Sequence, residues 1–238
     1  MKQLPEVNQD IRSRLKDITC FALDMDGTVY LGTKWIEGAV DFLKAVEKAG
    51  KQYIFLTNNS SKGPENYVEK LAAMGLIVTK DRIVTSGQAT ISYLKKHYPG
   101  KRVYLLGNDL LQREFQEEGI LLAENDPEVV VTGFDTSLTY EKLCRVCDHV
   151  RAGLPYIATH PDYNCPTEDG FIPDIGAIMA FIEASAGRRP DIIIGKPYAG
   201  IVEGVLEYTG LTCGECAMVG DRLYTDVATG VNFGMTAI

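Results

Sequence analysis

Almost from end to end, short runs rich in β-branched and aromatic residues alternate with stretches whose apolar residues recur at helical spacing. Strands are predicted at 20–23, 52–56, 83–85, 103–106, 129–132, 156–158, 191–194 and 217–219. Several of these runs are too apolar to leave one face in water, so helices must cover both faces. Between them, Val40, Leu43 and Val46 recur at helical spacing before a stop at Gly50. A second helix is bracketed by Pro64 and Gly75, each in the position that residue favours. That alternation dictates a parallel α/β fold.

The 238 residues suffice for one large domain or two small ones, and 45% apolar with 24% charged residues is the balance of a soluble globular chain. Lys plus Arg is 24 against 32 Asp plus Glu, a net charge of −8, so no basic surface for nucleic acid is expected and an anionic substrate must be met by local charge. The first 20 residues hold no signal-peptide core, and no run approaches the ~20 apolar residues of a membrane span. A cytoplasmic location is the expectation. Two CxxC pairs, Cys144 with Cys147 and Cys213 with Cys216, read as reduced structural cysteines rather than zinc ligands. The first pair lies in a helical pattern with Leu143, Cys147 and Val150 on one face, and the second leads directly into a strand.

Four apolar runs end in a residue of a kind that handles phosphate: Asp24, Thr57, Lys196 and Asp221. In a parallel sheet such ends share one edge, where loops and helix N-termini converge on ligands. Two of these positions come early and two late, and the long middle has its own strands and helices. Turn-rich, charged joints near 80 and 190 divide the chain into a discontinuous unit, 1–80 with 190–238, and an insert, 81–189. The close pair Asp24 and Asp26 requires a positive charge or a shared proton nearby.

In the order DMDGT, LTNNS, GKP and GDRLYTD, these segments resemble the motifs of the haloacid dehalogenase-like phosphatase superfamily. The longer phrases DMDGTVYLG, FLTNNSSK, FIPDIGAIMAFIEASAGRRP and IIIGKPY are similar to the branch of NagD-type and 4-nitrophenyl phosphate phosphatases, over nearly the whole chain. The resemblance implies a Rossmann-like core with an α/β cap inserted between the threonine and lysine motifs, which agrees with the inserted middle. It implies a magnesium-dependent phosphatase acting on a small phosphorylated metabolite, with 4-nitrophenyl phosphate as an artificial substrate.

By that resemblance, Asp24 is the nucleophile that becomes an aspartyl phosphate and also binds magnesium. Asp26 is general acid and then base, and its backbone carbonyl ligates the metal. Thr57 and backbone amides around Asn58 bind the phosphoryl oxygens, Lys196 neutralises charge, and Asp221 completes the protein's contribution to the magnesium site. Two readings of Asp226 stay open: it orients a water on the metal from outside the ligand set, or it is a charge at a helix N-terminus. The three histidines are left out of catalysis.

The turn-rich segment ATHPDYNCPTEDGFIPDIGA is expected to form a loop overhanging the core, with Asp162, Tyr163, Asn164 and Glu168 as candidates for substrate contact. Carbon–halogen cleavage is disfavoured by the acid at Asp26. A regulatory phospho-acceptor without turnover and a phosphomutase are the rival readings. The final GVNFGMTAI ends within an expected strand, as in a truncated chain with an open sheet edge, and a homodimer is one way of covering that edge.

Overall fold

The apolar runs fold as strands and the amphipathic stretches as helices in a computed structural model that describes residues 13, 15–167 and 169–238. The chain begins with β1 (Cys20–Leu23), the short antiparallel pair β2 (Tyr30–Leu31) and β3 (Lys34–Trp35), α1 (Ala39–Lys48), β4 (Gln52–Thr57), α2 (Pro64–Ala73), β5 (Ile83–Thr85) and α3 (Ser86–His97). The middle runs through β6 (Arg102–Leu106), α4 (Asp109–Glu117), β7 (Leu121–Leu122), β8 (Val129–Thr132), α5 (Tyr140–Arg151) and β9 (Tyr156–Ala158). It continues with β10 (Asn164–Thr167), β11 (Gly170–Pro173), α6 (Ile175–Ala186) and β12 (Ile192–Ile193). Last come α7 (Ala199–Thr209), β13 (Cys216–Val219), a π-helical turn at Leu223–Val227 leading into α8 (Ala228–Phe233), and β14 (Thr236–Ala237).

Two parallel five-stranded sheets result, one in the order β14-β13-β1-β4-β5 and the other β12-β9-β8-β6-β7. In β1, Cys20 and Ala22 face one core while Phe21 and Leu23 face another, the period-two alternation of a strand covered on both sides. In β8, Val129 and Val131 join the first of these cores and Val130 a third, beneath α5 and α6. The first core runs without a break from one sheet to the other, through residues of α3, α4 and α7. Cys147 and Cys216 are buried in these cores as small apolar residues.

The change of sheet falls later than the composition shifts at 80 and 190. Ile83–Thr85 pairs with Phe55–Thr57 in the first sheet, and Ile192–Ile193 pairs with Ile157–Ala158 in the second. Backbone pairing, not surface composition, sets those joints. The expected overhanging loop contains a hairpin, with Asn164 opposite Pro173 and Thr167 opposite Gly170. Its turn-forming residues concealed a strand pair that is exposed on both faces and therefore carries no apolar alternation. The strand expected at the end of the chain is present, with Thr236 and Ala237 beside Ala217 and Met218. Among the described residues, no helix is long and apolar enough to cross a membrane.

One buried charge belongs to the packing between the sheets. Glu114 of α4 lies against the starts of α2 and α3, where a side chain at Gly63 or Gly87 would touch its carboxylate. Both of its oxygens are buried without a hydrogen-bond partner among the described residues. Burial, reinforced by Glu65, Glu118 and Glu117, pushes this carboxyl up to about 7 from an ordinary 4.5. The folded chain therefore binds this proton more tightly than the unfolded one. Its stability is undiminished below 4.5, falls as pH rises towards 7, and stays low above. Glu114→Gln is expected to raise stability at alkaline pH by on the order of 3 kcal/mol, and to leave it unchanged well below the ordinary carboxyl value. Urea denaturation at both pH values checks this.

Candidate active site

The central strand β1 has β4 on one side and β13 on the other, because the chain turns first one way and later the other. The carboxyl end of such a strand opens between diverging connections, which makes it the natural ligand crevice of an open α/β sheet. Asp24 stands there: its N–H donates to the Val219 carbonyl at 2.9 Å, the last rung before the chains part. Immediately afterwards Thr28, Val29 and Tyr30 all turn back to the Met25 carbonyl, a tight coil that buries Met25 completely.

That coil separates the two like charges. The Asp24 carboxylate meets the Lys196 ammonium at 2.6 Å. Asp26 instead meets the Tyr30 hydroxyl at 3.4 Å and the Lys70 ammonium at 3.7 Å. Lys70 in turn lies 3.7 Å above the Tyr30 ring, a cation–π contact that steadies it. The turn needs Gly27, whose φ is 99° and whose missing side chain leaves room for Asp221; a Cβ there would come within 2.7 Å of an Asp221 oxygen.

Lys196 reaches the site by an unexpected route. The run at 191–194 is read from sequence as one more strand of the sheet that carries Asp24. Its residues Ile192 and Ile193 pair instead with β9, so Lys196 comes from the edge of the second sheet. The pairing has a physical cause: Gly195 N–H donates to the Thr159 carbonyl at 2.7 Å, which extends the contact with β9 up to the lysine. Asn58, one residue past β4, then clamps the lysine backbone. Its side-chain oxygen accepts the Lys196 N–H at 2.7 Å, and its amide donates to the Lys196 carbonyl at 3.0 Å.

The lysine side chain is 2% exposed and bridges two carboxylates, Asp24 and Asp226, at 2.6 Å each, with the Leu56 carbonyl at 3.2 Å as a third partner. Burial alone would discharge it. The two carboxylates overcome that cost and hold its pKa above the ordinary value. Burial pushes Asp24 up to about 6, against the pull of Lys196, and Asp226 adds to the rise.

Asp226 is thus neither a plain helix-terminal charge nor peripheral. It sits in the π-helical turn, is 1% exposed, and its second oxygen accepts the Arg222 N–H at 3.1 Å. Carboxylate oxygens of Asp24, Asp221 and Asp226 all lie within 4.8 Å of one another. Three carboxylates served by one buried ammonium leave an excess of negative charge, and an all-oxygen donor set of this kind suits a hard divalent cation. Thr28 links the group, its hydroxyl lying 3.3 Å from Asp24 and 3.4 Å from Asp221.

Thr57 is buried at the mouth of the cleft, and its hydroxyl accepts the Asn59 N–H at 3.2 Å. The Asn58 side chain is occupied with Lys196 and Asp162, so any phosphate contact at that residue falls to its backbone. Of the four substrate candidates, Asp162 is buried and engaged, accepting from Asn58 at 2.9 Å and from Arg222 at 3.4 Å. Asn164 lines the cleft with Asp24 and also the adjoining groove where Tyr163 lies with Tyr198 and Tyr224. Glu168 lies outside the described residues. His160 is buried on Asp174 and Thr159, 3.0 Å from each. Arg222 and Lys70 went unnoticed in the sequence; the signal for Arg222 was its place as the sole cation within GDRLYTD, directly after Asp221.

Against known families, residues 21–121 match the model of the haloacid dehalogenase-like hydrolases, and residues 193–238 match a second, HAD-hydrolase-like model. An acid sugar phosphatase of Staphylococcus aureus is 40% identical over 226 residues, covering 94% of this chain and 86% of the relative. This chain belongs to the haloacid dehalogenase-like hydrolases. Among solved structures, the 4-nitrophenylphosphatase of Thermotoga maritima superposes with a TM-score of 0.91 at 46% identity, covering 94% of this chain and 86% of the other. The p-nitrophenyl phosphatase of Archaeoglobus fulgidus gives 0.88 at 31% identity, covering 93% and 85%. Within the haloacid dehalogenase-like hydrolases the chain is therefore a phosphatase of the nitrophenylphosphatase type.

The buried ammonium of this hydrolase generates a test. Lys196→Met would leave Asp24 and Asp226 facing each other without a counter-charge, and removing one partner of a buried ion pair typically costs about 3–5 kcal/mol. A loss of that size is expected in urea denaturation of EDTA-treated protein.

Proposed function

We propose that the chain hydrolyses small phosphomonoesters through an aspartyl phosphate on Asp24, with magnesium held by the carboxylates of Asp24, Asp221 and Asp226. The observation that carries the reading is the buried ammonium of Lys196, 2.6 Å from both Asp24 and Asp226 at the carboxyl end of the central strand. An anchored cation beside a carboxylate keeps that carboxylate ionised and offsets the charge of an incoming phosphate. When bound, magnesium supplies further charge neutralisation at the phosphoryl oxygens.

In the first step an Asp24 oxygen attacks phosphorus while the bond from phosphorus to the leaving oxygen breaks, and Asp26 gives its proton to that oxygen. In the second, water attacks the same phosphorus, Asp26 takes the water's proton, and Asp24 is released. The divergence of the two side chains after the Met25 coil supports this division of labour. Asp24 stays with the phosphate-binding groups, and Asp26 stands where a leaving group would depart. Thr57 and the backbone beyond it hold the phosphoryl oxygens. Asn58 acts as a positioning residue, because its clamp on the Lys196 backbone sets where the ammonium stands. The second sheet, residues 86–193, acts as a cap, and its hairpin presents Asn164, Cys165 and Pro166 to the cleft.

The names of the relatives support sugar phosphates and aryl phosphates as the compounds to try first. The test is phosphate release from a panel of phosphorylated metabolites and 4-nitrophenyl phosphate, with magnesium and with EDTA. Release that needs the metal is expected. Asp24→Asn should reduce it to background, and Asp26→Ala should cut it by roughly 10²–10⁴-fold. Undiminished release from Asp24→Asn would rule the mechanism out.

A further inference from the structure

Beside the cleft, a file of buried polar side chains crosses between the two sheets, and the chemistry above uses none of it. Ser60 follows β4, and Thr159 and His160 follow β9, all without exposed surface. The Phe134 N–H donates to the Ser60 hydroxyl at 2.9 Å, and that hydroxyl lies 3.0 Å from the one on Thr159. Thr159 is 3.0 Å from His160 Nδ1, and His160 Nε2 is 3.0 Å from a carboxylate oxygen of Asp174. The same oxygen accepts the Ile175 N–H at 2.6 Å, capping α6, and Asp174 lines the cleft with Asp24.

The partners orient each proton along the file. An ionised carboxylate only accepts, so the network assigns a proton to His160 Nε2. The Ser86 hydroxyl, 3.4 Å from Nδ1, spends its own proton on the Asn58 carbonyl. Nδ1 is therefore served by Thr159, which accepts in turn from Ser60. With a proton on Nδ1 the order would reverse, and the Ser60 proton would have no acceptor among the described residues.

His160 stands between two parts of the active site. On one side Asp174 closes the base of the hairpin, its N–H donating to the Tyr163 carbonyl at 2.9 Å. On the other is Gly195, where a Cβ would come within 2.6 Å of both the His160 Cβ and the Asn58 side-chain oxygen. Lys196 is the next residue. We propose that His160 is a positioning residue for the hydrolysis: its Nε2–H holds Asp174, and with it the hairpin beside the cleft, while its body braces Gly195 and hence Lys196. The role rests on the phosphatase reading. Without that donor, a carboxylate 4% exposed keeps one N–H and turns towards Lys196 and Arg222, the cations that share its cleft.

The test measures kcat and KM for 4-nitrophenyl phosphate with magnesium, beside urea denaturation of each variant. His160→Leu, which removes both ring nitrogens, should lower kcat roughly tenfold to a hundredfold and leave KM within about threefold of native. His160→Gln can set an amide N–H near the place of Nε2 and should regain most of that loss. His160→Asn reaches only the place of Nδ1 and should not. Native kcat in folded His160→Leu, or equal rates in the Gln and Asn variants, would overturn the inference and leave the phosphatase reading standing. If His160→Leu does not fold, the Gln and Asn pair decides, together with the 15N shifts of His160 in the native protein: a proton found on Nδ1 would overturn the assignment. No release by the native protein would remove the phosphatase reading and the positioning role with it.

Discussion

The ammonium of Lys196, shared between Asp24 and Asp226, is the interaction on which the rest of the site depends. A lysine this deeply buried would lose its proton unless opposite charges held it. Two carboxylates from the first sheet do so, and the lysine in turn allows them to approach each other. Because its backbone belongs to the edge of the second sheet, the same contact joins the two halves of the molecule. Asn58 repeats the link in neutral form, bonding the lysine backbone through both ends of its side chain.

The arrangement sorts charge by position. At the end of β1, one buried turn of chain sends Asp24 towards Lys196 and Asp26 towards Lys70, so two carboxylates two residues apart serve different surroundings. The Asp24 side gathers more negative charge than its lysine can balance, and on the other side Asp26 is balanced by the ammonium of Lys70. A phosphomonoester bound across that boundary would have its phosphoryl group among the first set and its alcohol among the second.

Much of this was legible in the chain itself. The runs ending at Leu23, Leu56 and Val219 are short, largely apolar and flanked by helix signals, and they fold where that pattern places them. Asp24, Thr57 and Asp221 follow them at one sheet edge because parallel strands leave their carboxyl ends no other arrangement. The hairpin at 164–173 was not legible, since a strand pair exposed on both faces needs no apolar alternation. Nor was the engagement of Asp162, a residue that looks free in a polar segment until Asn58 and Arg222 are folded against it.

By itself, then, the order of residues determined the parallel α/β architecture and which charged groups follow its strands, because burial periodicity and strand-end chemistry are local properties. Only the tertiary structure decided which sheet delivers Lys196, that Asp226 is its second partner, and that Lys70 stands beside Asp26. Those are matters of pairing between segments far apart in the chain. Strand 191–194 can pair with either sheet on its composition, and the register with β9 is selected by backbone hydrogen bonds that no single stretch of sequence encodes.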